Sequence, residues 1–245
     1  MTSWLWPVLA APFIGSFLGV LVARLPEEKP LIWGRSACDD CGHVLTALDL
    51  VPIASWLALR GRCRYCGARL GWFYPGVELA ALAVALVSVA IDRGLWAWLD
   101  CLFGWWLLAL GWIDLRRMLL PDVLTLPLIV AGLAAALWSP QDLVARALGA
   151  VLGYLSLAGT AFLYRRLRGR EGLGGGDPKL FAAAGAWVGA SALPSVLFLA
   201  ASLALATAAV AIAAGHRLRR NSALPFGPFL ALTSWLVYLF GPFYF

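Results

Sequence analysis

Apolar runs of near-membrane length recur along this chain, and the short polar stretches between them hold nearly all of its charge. Such runs predict transmembrane helices. Eight segments emerge, at about 4–23, 76–91, 95–113, 122–138, 143–164, 180–193, 194–214 and 225–241. The stretch Leu180 to Gly215 is the ambiguous one. Its 36 mostly apolar residues would make one helix of about 54 Å at a rise of ~1.5 Å per residue. The hydrocarbon core is only ~30 Å thick, so this stretch must fold back. Ala192-Leu193-Pro194 is the natural break, which leaves the sixth segment short. The first segment, Trp4 to Ala23, has no basic region ahead of it, and its basic residues follow it. It predicts an uncleaved helix with its N-terminus outside rather than a secretory signal.

Composition agrees with this reading. The chain is 62% hydrophobic and 13% charged, where a soluble domain carries about 25% charged residues. A net charge of +6 raises the question of nucleic acid, but the placement of the basic residues answers it. The loops after segments one, three, five and seven hold 17 of the 19 Lys and Arg residues, among them Arg116, Arg117, Arg165, Lys179, Arg217, Arg219 and Arg220. Only Arg93 and Arg146 fall elsewhere. Basic loops set orientation: these four face the cytoplasm and both termini face outward. No nucleic-acid role is expected. The fold class that follows is an all-α polytopic membrane protein of about eight transmembrane helices, with a small cytoplasmic domain between helices 1 and 2. Its divisions are 1–23 (helix 1), 24–75 (the soluble insertion) and 76–245 (helices 2–8).

The insertion carries Cys38-x-x-Cys41 and Cys63-x-x-Cys66, each pair followed by a glycine, Gly42 and Gly67. Two thiolates held toward one ion need backbone freedom after the second sulfur, and glycine supplies it. Four thiolates at this spacing suit a closed, structural, tetrahedral Zn²⁺ site. A cytoplasmic location disfavours disulfides, and so small an insertion gains folding energy from a metal. Cys101 lies inside an apolar segment and reads as a small buried hydrophobe.

Asp114 and Asp177 are the candidate catalytic pair. Asp114 ends the third segment, in Gly111-Trp112-Ile113-Asp114, where the helix dipole disfavours an anion. Pairing with Arg116 or Arg117 is the plain alternative. Asp177 closes Gly174-Gly175-Gly176-Asp177. Capping explains part of it, with Asp177 at the N-cap and Pro178 at the first helical position. Three glycines add room for a close backbone approach by an extended peptide. By the orientation above, both acids lie at one membrane–cytosol interface. Two facing carboxylates there can share a proton and activate a water. Asp122, following Pro121, is a supporting candidate. Glu78 either lines the site or is an interfacial acid solvated by water. His216, in a basic loop, reads as solvated.

These residues, in order, resemble the type IV prepilin peptidases. The resemblance runs nearly end to end: Gly15-Ser16-Phe17-Leu18, Arg24-Leu25-Pro26, the two cysteine pairs, Asp49-Leu50-Val51-Pro52, Tyr74-Pro75-x-x-Glu78, Leu120-Pro121-Asp122, Gly174-x-Gly176-Asp177-x-Lys179 and Pro225-Phe226-Gly227-Pro228. Cys38-Asp39-Asp40-Cys41 and Gly172-Leu173-Gly174 depart from the usual family wording without touching a ligand or either aspartate. The resemblance implies an intramembrane aspartyl peptidase of the bacterial inner membrane, with Asp114 and Asp177 catalytic and Gly174, Gly176, Lys179, Asp122 and Glu78 supporting. Its substrates would be prepilins of type IV pili and pseudopilins of type II secretion. S-adenosylmethionine-dependent N-methylation of the new N-terminus is implied as a second activity. A basic leader could then be attracted by Glu78 or by Glu27, Glu28, Asp39, Asp40 and Asp49. The two alternatives are a proton or cation transporter using the intramembrane carboxylates and a non-catalytic membrane scaffold.

Overall fold

The computed structural model describes residues 5–31, 33–138, 143–170, 172–215 and 224–242. Trp4, His216, Arg217, Arg219 and Arg220, invoked above, lie outside the described residues. Among the described residues all regular structure is helical, apart from two isolated bridges in the cysteine segment. The helices are α1 (Leu5–Arg24), α2 (Ala54–Ala58), α3 (Phe73–Ile91), α4 (Leu95–Arg117), α5 (Asp122–Ala135), α6 (Leu143–Arg168), α7 (Asp177–Val188), α8 (Leu193–Ala213) and α9 (Gly227–Phe240).

Every apolar segment of the sequence carries one of these helices, but their lengths differ. Five are long and apolar enough to cross a membrane: α1, α3, α4, α6 and α8 with the turn ahead of it. The others, α5, α7 and α9, have 14, 12 and 14 residues. At ~1.5 Å per residue each covers only about 18–21 Å. The fold-back between α7 and α8 comes earlier than Ala192-Leu193-Pro194. Gly189, with φ +81°, ends α7, a 3-10 turn covers Ala190–Ala192, and Pro194 sits in the first turn of α8. A residue at positive φ and extended ψ stops a helix as effectively as proline, and glycine takes that conformation without steric cost.

The chain divides into two compact units, Met1–Trp105 and Trp106–Phe245, with the boundary inside α4. In the first unit α1 packs on α3 through Gly15 and Gly19. A Cβ at Gly15 would stand 2.6 Å from Glu78 Cα, and one at Gly19 would stand 2.8 Å from the Tyr74 ring. Small residues four apart on a helix permit this approach in an apolar solvent, where close packing replaces the hydrophobic drive. Trp105 Nε1 donates to the Ala81 carbonyl at 2.9 Å and closes the unit on the α4 side.

In the second unit α7 is the central helix. Every residue of it except Lys179 is buried. Its alanine-rich surface lets α5, α6 and α9 come close on different sides. Gly149 and Gly153 of α6 lie on Gly185 and Phe181 of α7, backbone against backbone. At the far end Trp187 donates to the Leu128 carbonyl of α5 at 3.0 Å and packs edge-on against Tyr238 of α9, with ring centroids 5.6 Å apart. The far end of α7 is thus fixed by its neighbours.

This packing carries a test. Gly149→Val would place a side chain into the α7 backbone. It is expected to lower stability by about 1–3 kcal/mol through overpacking, read as a lower thermal midpoint in detergent. Gly159, on the same helix, faces open space, so Gly159→Ala is expected to leave the midpoint unchanged or raise it.

Candidate functional site

Asp114 and Asp177 are both buried in the second unit, 6% and 5% exposed. Asp114 lies in the last turn of α4, which ends where Met118 turns left-handed (φ +51°) and donates its N–H to the Asp114 carbonyl at 2.8 Å. Asp114 Oδ2 accepts the N–H of Gly227, 113 residues away, at 3.0 Å. Gly227 is the first residue of α9. The N–H groups of a first helical turn have no intrahelical acceptor, and that end of the dipole favours an anion. The unfavourable end of α4 is thereby offset by the favourable end of α9. A Cβ on Gly227 would stand 2.6 Å from the carboxylate oxygen, so this contact requires glycine.

Asp177 opens α7 rather than capping it. Gly176 is the N-cap residue, with Asp177 and Pro178 in the first turn. This corrects the expectation that Asp177 itself is the cap. Its Oδ2 turns back instead and accepts the Gly174 N–H at 3.1 Å. The two carboxylates are close enough for the charge of Asp114 to act on Asp177. Each uses Oδ2 on one backbone donor, and Oδ1 of each has no protein donor among the described residues.

The segment after α4 docks on the glycine run. Leu120 packs on Gly176, where a Cβ would stand 2.5 Å from Leu120 Cβ. Two residues on, Asp122 Oδ1 pairs with Lys179 Nζ at 2.6 Å, joining the first turns of α5 and α7. The three glycines therefore differ in role. Gly174 supplies a donor, Gly176 admits Leu120, and a Cβ on Gly175 would meet nothing within 4 Å. Of the predicted site residues, the fold brings Asp114, Asp177, Gly174, Gly176, Asp122 and Lys179 into one unit. Glu78 belongs to the first unit. It is 6% exposed and accepts the Ile53 N–H at 2.7 Å, which corrects the reading of a water-solvated interfacial acid. It lies in the second turn of α3, because that helix starts at Phe73.

Cys38, Cys41, Cys63 and Cys66 form the one metal-type cluster among the described residues, their sulfurs all within 4.8 Å of one another. Cys38 Sγ and Cys66 Sγ are 3.9 Å apart. A tetrahedral ion with ~2.3 Å Zn–S bonds needs sulfurs about 3.8 Å apart, so the donor set fits a metal such as zinc. Each pair is built alike. Gly42 and Gly67 take φ +68° and +73° and donate to the Cys38 and Cys63 carbonyls, closing two equivalent turns. The backbone N–H groups of Cys66 and then Tyr65 pull the Cys63 thiol down to about 7. Cys66 is pushed up to about 12: the Ala68 N–H lowers it, but burial and the thiols of Cys63, Cys41 and Cys38 raise it further. Four thiolates this close repel one another, and a cation would resolve that by displacing the remaining protons.

Asp49 ties the two turns together. It accepts the Thr46 hydroxyl at 2.7 Å and the Thr46 N–H at 3.0 Å from one side. From the other it accepts Arg64 Nε at 2.7 Å and the Tyr65 hydroxyl at 3.2 Å. These donors, the Thr46 hydroxyl first, hold its carboxyl well below the usual range. Asp49 is thus saturated from within, and Glu27 pairs with Lys29 at 2.7 Å. Both are poor candidates for attracting a basic leader.

Three features of these sites escaped the sequence: the acceptor role of Asp114 toward Gly227, the packing of Leu120 on Gly176 and the saturation of Asp49. A Gly-Pro pair opening an apolar helix was the one available signal for the first.

Comparison with known proteins follows the same division of the chain. Residues 9–91 match the bacterial peptidase A24 N-terminal domain, and residues 101–209 match the type IV leader peptidase family. Proteins named prepilin leader peptidase/N-methyltransferase are similar along nearly the whole chain. One from Burkholderia pseudomallei (strain 1026b) is 43% identical over 94% of this chain and 84% of its own length. One from Dichelobacter nodosus is 40% identical over 93% and 88%. One from Pseudomonas aeruginosa is 38% identical over 96% and 89%. No solved structure gives a significant match.

The cysteine cluster yields a direct expectation. The purified chain should carry one zinc ion, counted by elemental analysis, and Cys63→Ser should reduce this to background. Asp49→Asn should keep the four sulfurs but weaken retention against a chelator by about tenfold, as loss of supporting contacts around a metal site does.

Proposed function

The chain belongs to the type IV leader peptidase family, and on that premise we propose that it is a prepilin leader peptidase with Asp114 and Asp177 as its catalytic residues. It cuts the leader from type IV prepilins and type II secretion pseudopilins at the cytoplasmic face of the bacterial inner membrane. In this reading all eight apolar helices cross or enter the bilayer, both termini are periplasmic, and the cysteine segment is a cytoplasmic zinc domain. The observation that carries the proposal is the pair of buried carboxylates, each holding one backbone N–H and each with one oxygen left for other partners.

The chemistry follows from that arrangement. Two like charges in a buried site resist joint ionisation, so the pair retains one proton and titrates as a unit. The ionised member accepts a proton from water through its Oδ1. The protonated member donates to the carbonyl oxygen of the scissile peptide. The hydroxide equivalent adds to the carbonyl carbon, and collapse of the tetrahedral adduct breaks the C–N bond as the amine takes a proton. Gly175 offers the open backbone against which an extended peptide can lie. The Asp122–Lys179 pair and the Leu120–Gly176 contact hold the two aspartates in register.

N-methylation of the new N-terminus, with S-adenosylmethionine as donor, is the second activity proposed. Among the described residues there is no strand followed by a glycine-rich loop of the kind that cradles a nucleotide. The methyl donor is therefore assigned no residues here, and its presence is tested by mass.

Purified protein in detergent should convert a prepilin-like peptide to two products seen by mass spectrometry. Added S-adenosylmethionine should increase the mass of the mature product by one methyl group. Asp114→Asn and Asp177→Asn should each lower the cleavage rate by at least about 10³-fold while retaining zinc; wild-type rates in both would end the proposal. The rate should rise and then fall with pH, since one proton too many or too few disables the pair.

A finer expectation concerns Gly227. Gly227→Ala inserts a methyl group where Asp114 Oδ2 now lies, and a shift of about 1 Å in a reacting group costs on the order of 10²-fold in turnover. Gly159→Ala, which faces open space on α6 and has no part in the site, should leave turnover within about twofold.

A further inference from the structure

Three elements of the first unit converge on the Glu78 carboxylate. Glu78 belongs to α3 and is buried there. Its Oε2 accepts the Ile53 N–H from the cysteine segment at 2.7 Å. The Ser16 side chain of α1 lies near the same carboxylate. Gly15 makes this possible, because its missing side chain lets the α1 backbone approach Glu78 Cα.

Ile53 is an unusual residue to hold. Its backbone is at φ +61° and ψ −50°, and the Ala54 N–H donates to the Pro52 carbonyl two residues back. That geometry is the rare, strained form of the γ-turn. A β-branched side chain makes it worse, since Cβ then meets the following carbonyl. Such backbone persists only where its surroundings enforce it. The turn leaves the N–H of Ile53 outside its own hydrogen bond, and the carboxylate supplies the acceptor. A carboxylate buried in a membrane helix is itself costly, and a charge-assisted bond is about twice as strong as a neutral one.

We propose that Glu78 is a positioning residue: a latch that captures the strained turn at Ile53 and fixes the cysteine domain on the α1–α3 pair. The function part of this proposal rests on the leader peptidase reading. In this role Glu78 acts through the turn at Ile53 rather than on the scissile bond. It sets the stance of the domain that follows α1, and through it the engagement of the cytoplasmic leader. Asp49, Ile53 and the four cysteines share one unit with Glu78, while Asp114 and Asp177 belong to the other.

The experiment uses the full chain in detergent, with Glu78→Gln, Ile53→Gly and the double variant. Zinc content and thermal midpoint serve as folding controls. Glu78→Gln keeps shape and volume but supplies a neutral acceptor, so hydrogen exchange around Ile53 should accelerate by about tenfold, matching the loss of a charge-assisted bond. KM for the prepilin-like peptide should rise by a similar factor with kcat within twofold. Ile53→Gly removes the strain, so Glu78→Gln should have a smaller effect in that background than in the wild type. Unchanged exchange at Ile53 would overturn the latch, as would loss of zinc in Glu78→Gln or equal effects in the two backgrounds. A fall in kcat with unchanged KM would place Glu78 in the chemistry and overturn its role as a positioning residue. If the wild type cleaves no peptide, the leader peptidase reading fails, while the exchange experiment still decides the latch.

Discussion

Two carboxylates buried in an apolar chain must each find a donor, and in this protein both find one at the start of a helix. Asp114 meets the N–H of Gly227, which opens α9, and Asp177 meets the N–H of Gly174, just ahead of α7. For Asp114 the start of α9 supplies a free N–H and the positive end of a dipole, whereas Asp177 turns back onto the glycine run that precedes its own helix. The rest of the second unit is arranged around that constraint. The helices whose first turns build the site, α5, α7 and α9, are the short ones.

Glycine is the second common element, and it works by absence of volume. Gly227 admits a carboxylate, Gly176 admits Leu120, and Gly149 and Gly185 admit each other's backbones. In lipid, where apolar side chains gain little by leaving the solvent, helix pairs are held by close backbone approach and by hydrogen bonds across the contact. The glycine positions therefore set where α1 meets α3 and where α6 meets α7. That placement leaves α7 enclosed, and Asp177 is carried at its N-terminus.

Much of this was legible in the chain itself. The apolar segments landed on helices because lipid leaves little choice but to satisfy the backbone internally. The cysteine spacing was legible because a tetrahedral ion has few solutions. What was not legible depends on distant partners. Nothing near Asp114 announces Gly227, and the helix dipole at its own position argued against an anion. In sequence Glu78 fits either a site-lining or a solvated acid, because the apolar run begins three residues after the helix does and the Ile53 contact spans 25 positions across the cysteine segment. Pro194 marks the break in sequence because a proline restricts the backbone by its type, whereas Gly189 shows its positive φ only in the fold. Asp177 read as a cap because Asp-Pro at a helix start usually is one; the preceding glycine took that place instead.

The central claim is that Asp114 and Asp177 act on one carbonyl together. Its most direct measurement is the distance from each Oδ1 to the hydroxyl of an uncleavable, tetrahedral peptide analogue, in an experimental structure of the wild-type protein. The account predicts that both oxygens lie within hydrogen-bond distance of that one hydroxyl, about 2.6–3.2 Å. An analogue contacted by only one of the two aspartates, with the other turned away or too far to close on it, would contradict the account.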